Sequence, residues 1–147
     1  MSEGFNFRLQ SVLDYREHIK KQKAEELAEY RRQLEQEKNA LSGLVNVKTN
    51  IINEMDSKCS EGIQAGYLVE CNKYIEQLNR FIDRHKENLS DMEKKVDECC
   101  QNAVEASRNK ETIEKLKVRH YKKFAYHLST EQEKEVEDLV NNRKTSS

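Results

Sequence analysis

The chain has 147 residues, of which 35% are hydrophobic and 36% charged, and it contains no proline and no tryptophan. That length suits one domain, but the apolar share is too small for a compact globule of this size. Its 26 basic and 27 acidic residues leave a net charge of -1, without the basic excess of a general nucleic-acid binder. No apolar run approaches the roughly 20 residues of a membrane span, and no secretory signal opens the chain, so a soluble, cytoplasmic protein with no membrane insertion is expected.

Disorder is the other option for a polar chain, but disordered chains lack a sustained apolar period. This chain has one. A long first helix is expected over about residues 7–57. Leu13, Leu27, Leu34, Leu41 and Met55 fall in one row, with Tyr30, Leu44 and Ile51 in the next. Residues spaced 3 and 4 apart share one side of a helix. Arg16, Lys20, Lys23, Glu37 and Lys48 also occupy seam positions, where their stems can cover a partner helix while their charges reach water. Such positions weaken a seam, so the helix is expected to be loosely held near its N-terminus.

A connection follows over about residues 58–66. Ser57 to Gly66 holds two serines and two glycines, enough to end one helix and start another, with room for a short helical turn between them. The second helix is expected over about residues 67–128. From Leu68 to Ile113 it keeps a seven-residue register. One row reads Leu68, Ile75, Ile82, Leu89, Val96 and Ala103; the other reads Cys71, Leu78, His85, Met92, Cys99, Ala106 and Ile113. A narrow apolar seam sustained over six heptads needs a partner helix. With a single connection the two helices form an antiparallel coiled-coil hairpin, all-α, in one elongated domain over 1–147. Ser129 or Thr130 reads as an N-cap for an acidic helical extension over about 130–141, with Gln132 or Glu133 at the capping-box position. Residues 141–147 are expected to fray. Lys110, where an apolar residue is due, marks the expected point at which the tight seam gives way to a charged end.

No catalytic constellation emerges. There is no Gly-rich phosphate loop, and His18, His85, His120 and His127 have no nucleophile and acid in a recognisable setting. His120 and His127 share a helix face, but too far apart for a metal pair, and a solvated or interface role is expected for both. Cys59, Cys71, Cys99 and Cys100 form no CxxC pair. Cys71 and Cys99 fall in the seam, where cysteine acts as a small hydrophobe. No enzyme activity, metal or cofactor is expected.

Two features point to recognition. Tyr67, Tyr74 and Phe81 recur every seven residues beside the second helix's seam, and Tyr74, Leu78, Phe81 and His85 make a 4-3-4 patch. A two-helix seam does not need that width. The patch is either an exposed docking face or cover for the loop end of the hairpin. The second feature is charge segregation. Arg108, Lys110, Lys115, Lys117, Arg119, Lys122 and Lys123 precede the acidic residues Glu131, Glu133, Glu135, Glu137 and Asp138. Such blocks either steer docking or form a solvated helix end.

The opening, Phe5-Asn6-Phe7-Arg8-Leu9-Gln10-Ser11-Val12-Leu13-Asp14-Tyr15-Arg16, resembles the start of the FliJ family of flagellar export proteins. The family's Phe-x-Phe-basic-Leu-x-x-Val-Leu segment is matched. Where a Glu-rich stretch often follows in the family, His18-Ile19-Lys20-Lys21 stands here. The resemblance implies a non-enzymatic part of the flagellar type III export apparatus, at the inner face of the cell membrane at the flagellar base. It implies a central-stalk-like rod whose paired terminal helices enter the hexameric export ATPase (FliI-like) and whose other end reaches the export gate protein (FlhA-like). Export chaperones and the ATPase regulator (FliH-like) are further implied partners. Phe5, Phe7, Leu9, Leu13 and Arg16 would then lie at the ATPase-facing end, with Arg119, Lys122 and Lys123 opposite them. Tyr74, Leu78, Phe81 and His85 would bind the gate. A stalk of this kind is expected to be a monomeric hairpin when alone. The competing reading is a cytoplasmic coiled-coil scaffold that dimerises and has no ATPase partner.

Overall fold

A computed structural model describes residues 4–62 and 64–145. Two long helices pack against each other as a helical hairpin, with no strand among the described residues. Helix α1 spans Gln10–Glu61 and helix α2 spans Ala65–Thr145. The fold class is the one the heptads predict, but the boundaries differ in three places.

The first difference is at the entry. Helix α1 begins at Gln10, not near Phe7, because Phe5 to Leu9 form a turn that bonds Gln10 N–H to the Phe7 carbonyl. The second is at the connection, which shrinks to Gly62–Gln64 and holds no helical turn among its described residues. Ser57 and Ser60 do not break α1. The Ser60 hydroxyl donates to the Ser57 carbonyl and stays inside the helix. Gly62 alone ends it, with φ +84°, a left-handed conformation that costs glycine little and lets its N–H bond back to the Cys59 carbonyl.

The third difference is at the far end. Helix α2 does not stop at Leu128, and no cap forms at Ser129 or Thr130. The Thr130 hydroxyl donates backwards to the Tyr126 carbonyl, so the residue satisfies itself within a continuous helix instead of starting a new one. Thr145 does the same towards Asn141. The expected fraying tail is thus helical to Thr145, and Ser146 and Ser147 lie outside the described residues.

Contacts group the chain into two compact units: Lys23–Ala103, and Met1–Gln22 together with Val104–Ser147. In the first, both expected rows are those turned away from solvent. Leu78, Ile82 and Cys99 are buried, and Leu68, Cys71, Ile75, Leu89, Met92 and Val96 are half-buried. Opposite them, Lys23, Leu27, Tyr30, Leu34, Glu37, Leu41, Leu44, Lys48, Ile51 and Met55 are also half-buried. The charged members of the seam keep their apolar stems in it, as long cationic and acidic side chains can.

Two residues mark what the seam is worth. Ile82 is 6% exposed and Val104 is 45% exposed. Ile82→Ala is expected to lower stability by about 2–4 kcal/mol, through lost burial and the cavity left behind. Val104→Ala should stay within about 0.5 kcal/mol of wild type, as surface changes do. Urea unfolding followed by circular dichroism checks both.

Candidate functional site

The unit that pairs the two chain ends is closed by aromatic rings. Phe5 meets Tyr121 edge-on at 5.2 Å between centroids and lies 5.5 Å from Phe124. Phe7 is buried and packs edge-to-face against the His120 ring at 5.6 Å. Such pairs add to area burial by their quadrupole geometry. The Lys117 ammonium sits 6.0 Å above the Phe7 ring and donates to Gln10 Oε1 at 2.7 Å. Gly4, at φ +91°, brings the backbone against Phe124. Leu13 and Ala106 complete the buried set of this unit.

Two expectations are overturned here. The N-terminal end is not the loosely held part, since Phe7 and Leu13 are among the chain's few buried side chains. The seam also does not give way at Lys110. It continues through half-buried Ile113, Lys117, His120 and Phe124 in the same heptad register, with half-buried Tyr121 beside it. The reason is substitution of rings for aliphatic side chains. Phe5 and Phe7 arrive from a turn, not a helix, so a 3-4 pattern search on the first helix does not collect them as seam partners. On α2 the signal was present: Phe124 lies one heptad beyond Lys117, and His120 one beyond Ile113.

Lys110 bonds Glu17 across the two helices and Glu114 along its own, the latter at 3.0 Å. The hydrogen bond from Lys110 outweighs an opposing desolvation effect and, with smaller help from the charges of Lys110, Lys20 and Lys21, holds the Glu17 carboxyl below its usual value of 4.5. In return, hydrogen bonds to Glu17 and then Glu114 raise the Lys110 ammonium above 10.5. A depressed carboxyl stabilises the fold above its unfolded pKa and loses that contribution as pH falls through the folded pKa. A raised ammonium does the reverse at high pH. The contribution is therefore complete between the two groups' ordinary values.

Of the residues expected to face the ATPase, Phe7 and Leu13 are buried, and Phe5, Leu9 and Arg16 are half-buried. They build the end of the hairpin more than they present a surface. Arg119, Lys122 and Lys123 are exposed, on the side of α2 away from the rings. The second expected site also divides. Tyr74 and Phe81 are 47% and 40% exposed, whereas Leu78 is buried in the seam. His85 is half-buried, with Nδ1 against the Glu37 carboxylate of α1. The Arg84 guanidinium lies 5.9 Å from the Phe81 ring. Tyr67, the first of the aromatic row, is instead held at the loop end. Lys58 donates to its hydroxyl at 3.2 Å and stands 4.5 Å over its ring. The aromatic row is thus cover at Tyr67 and open surface at Tyr74 and Phe81.

Among the described residues, no cluster of His, Cys, Asp or Glu is arranged to hold a metal ion, and no helix is long and apolar enough to cross a membrane. The fold and its surfaces define a two-helix coiled-coil protein whose outward features include the exposed rings of Tyr74 and Phe81 and a basic face. The family model described as "Flagellar FliJ protein" matches residues 5–144, nearly the whole chain, and the protein belongs to that family. It is therefore a component of the bacterial flagellar type III export apparatus. No curated protein and no solved structure matches the chain.

Two outcomes are expected. Phe7→Ala should release the N-terminal turn and speed tryptic cleavage at Arg8 and Arg16 several-fold, with less effect on cleavage at Arg80 and Arg84. On acidification below about pH 4.5, the unfolding midpoint should fall as Glu17 is protonated. That fall should be smaller in Lys110→Met, which removes the cause of the lowered pKa.

Proposed function

We propose that the protein acts without catalysis, as a stalk whose paired ends enter the hexameric export ATPase and whose Tyr74 and Phe81 face meets the export gate. The family supplies the apparatus. The observation that carries the finer reading is the construction of the paired ends. Phe5 and Phe7 tie the N-terminal turn to α2 and leave Arg119, Lys122 and Lys123 outward. A tip of this kind is firm inside and basic outside. Exposed cations steer encounter with an acidic surface and set the salt dependence of docking. Exposed aromatic rings, in contrast, supply the apolar anchors found at interface hot spots. The same construction suits a rod that is gripped at one place by charge and at another by rings. Regulator and chaperone contacts belong to the same reading, as does placement at the inner face of the membrane.

Two experiments test this. Wild-type protein should raise the hydrolysis rate of its cognate export hexamer, and Arg119→Glu with Lys122→Glu and Lys123→Glu should remove most of that increase. Wild type that neither binds nor accelerates the hexamer would overturn the stalk reading. Tyr74→Ala with Phe81→Ala should lose binding to the gate's cytoplasmic domain while keeping its helical circular dichroism, because neither ring is in the seam.

A further inference from the structure

Every residue from Ala125 to Thr145 is exposed, although all lie in one continuous helix. The stretch is not uniformly polar. Leu128, Val136 and Leu139 are 42%, 60% and 64% exposed, and Val118, one step back towards the rings, is 53% exposed. At about 3.6 residues per turn, Val118, Tyr121, Ala125, Leu128, Gln132, Val136 and Leu139 fall on a single stripe, each 3 or 4 residues from the next. Shallow grooves open along it, one walled by Lys117, Val118, Tyr121 and Lys122, the other by Ser129, Gln132, Val136 and Glu137. The stripe lies beside the face that α1 covers, and all of it is exposed except Tyr121, whose ring is half-buried against Phe5. An exposed helix of this length gains little stability by itself, because most helical stability in water comes from packing of an apolar face.

We propose that this stripe pairs with its own copy, the C-terminal segments of two α2 helices packing antiparallel about a two-fold axis near Leu128 and Ser129. One register makes the stripe self-complementary. Val118 then lies opposite Leu139, Tyr121 opposite Val136, and Ala125 opposite Gln132. Charge selects the same register. Along one flank of the stripe run Lys115, Arg119 and Lys122, and further along the same flank run Glu133 and Glu137. In an antiparallel pair related by a two-fold, like flanks meet, so the basic half of each copy lies against the acidic half of the other. Arg119 and Lys122 reach Glu137 and Glu133, and symmetry makes each contact twice. In a parallel pair opposite flanks meet, so Glu133 and Glu137 would face the acidic Glu131, Glu135 and Asp138. The segment from 118 to 139 is roughly 33 Å long, short for a permanent coiled coil, so the pair is reversible and grows with concentration. The monomeric hairpin expected from the sequence is then one side of an equilibrium. The paired side withdraws Arg119 and Lys122 from any other partner.

Sedimentation velocity on the full chain, over a range of concentrations and at low salt, tests the pairing. Wild type should move reversibly from monomer to dimer. Arg119→Glu with Lys122→Glu should weaken the dimer by about tenfold or more, as should Glu133→Lys with Glu137→Lys, each leaving circular dichroism unchanged. Mixing these two double variants should restore a dimer that neither forms alone, which a loss of folding cannot mimic. Leu139→Asp should also abolish it. Wild type that stays monomeric at all concentrations, or a dimer that the charge reversals do not weaken, would overturn the proposal. Because the readout is mass alone, its failure is separable from failure to stimulate the ATPase.

Discussion

Neither helix can satisfy its own apolar stripe. A helix with two apolar positions in seven exposes a seam that only a second helix of matching register can cover, and here the chain supplies that helix itself. Every other property depends on this constraint. Because the seam is narrow, few side chains among the described residues are buried: Leu78, Ile82, Cys99 and Ala106 on α2, and Phe7 and Leu13 before and within α1. Because it is narrow, most of the surface is free to carry charge or rings. The chain's balanced but segregated charge and its exposed aromatic residues follow from having so little to enclose.

The heptads were readable because the helical period survives charged interruptions. Lys20, Lys23, Glu37 and Lys48 stand at the seam positions that their spacing assigns and are half-buried there. The places where sequence reasoning failed share a physical cause. Ser57, Ser60, Ser129 and Thr130 have the composition of breakers or caps, yet a hydroxyl can bond back to a carbonyl within its own helix, as Ser60 and Thr130 do. Composition does not distinguish these two uses. The rings at the chain ends were hidden for another reason. Phe5 and Phe7 precede the helix, so no periodicity connects them to Tyr121, Phe124 and His120; only the fold does. The Tyr74 to His85 patch was legible as a spacing but not as a surface. Burial splits it into two exposed rings, one core leucine and a histidine engaged by Glu37.

The resulting molecule separates its tasks along the chain. The seam pairs the two helices, the ring cluster holds the N-terminal turn to α2, and the surfaces outside the seam stay exposed. For a member of a flagellar export family, the exposed rings and charges are the features that the hairpin's own pairing does not use.

Pairing of the two helices ends at the rings, and the helix beyond them is exposed from Ala125 to Thr145. Amide hydrogen exchange on dilute protein, resolved by peptide along the chain, reads this out. Exchange should be slow in α1 from about Leu13 onward and in α2 up to Phe124, and rapid from Ala125 to Thr145, slowing there as concentration rises. Strong protection of Ala125 to Thr145 in dilute protein, or rapid exchange around Leu13 and Ala106, would contradict it.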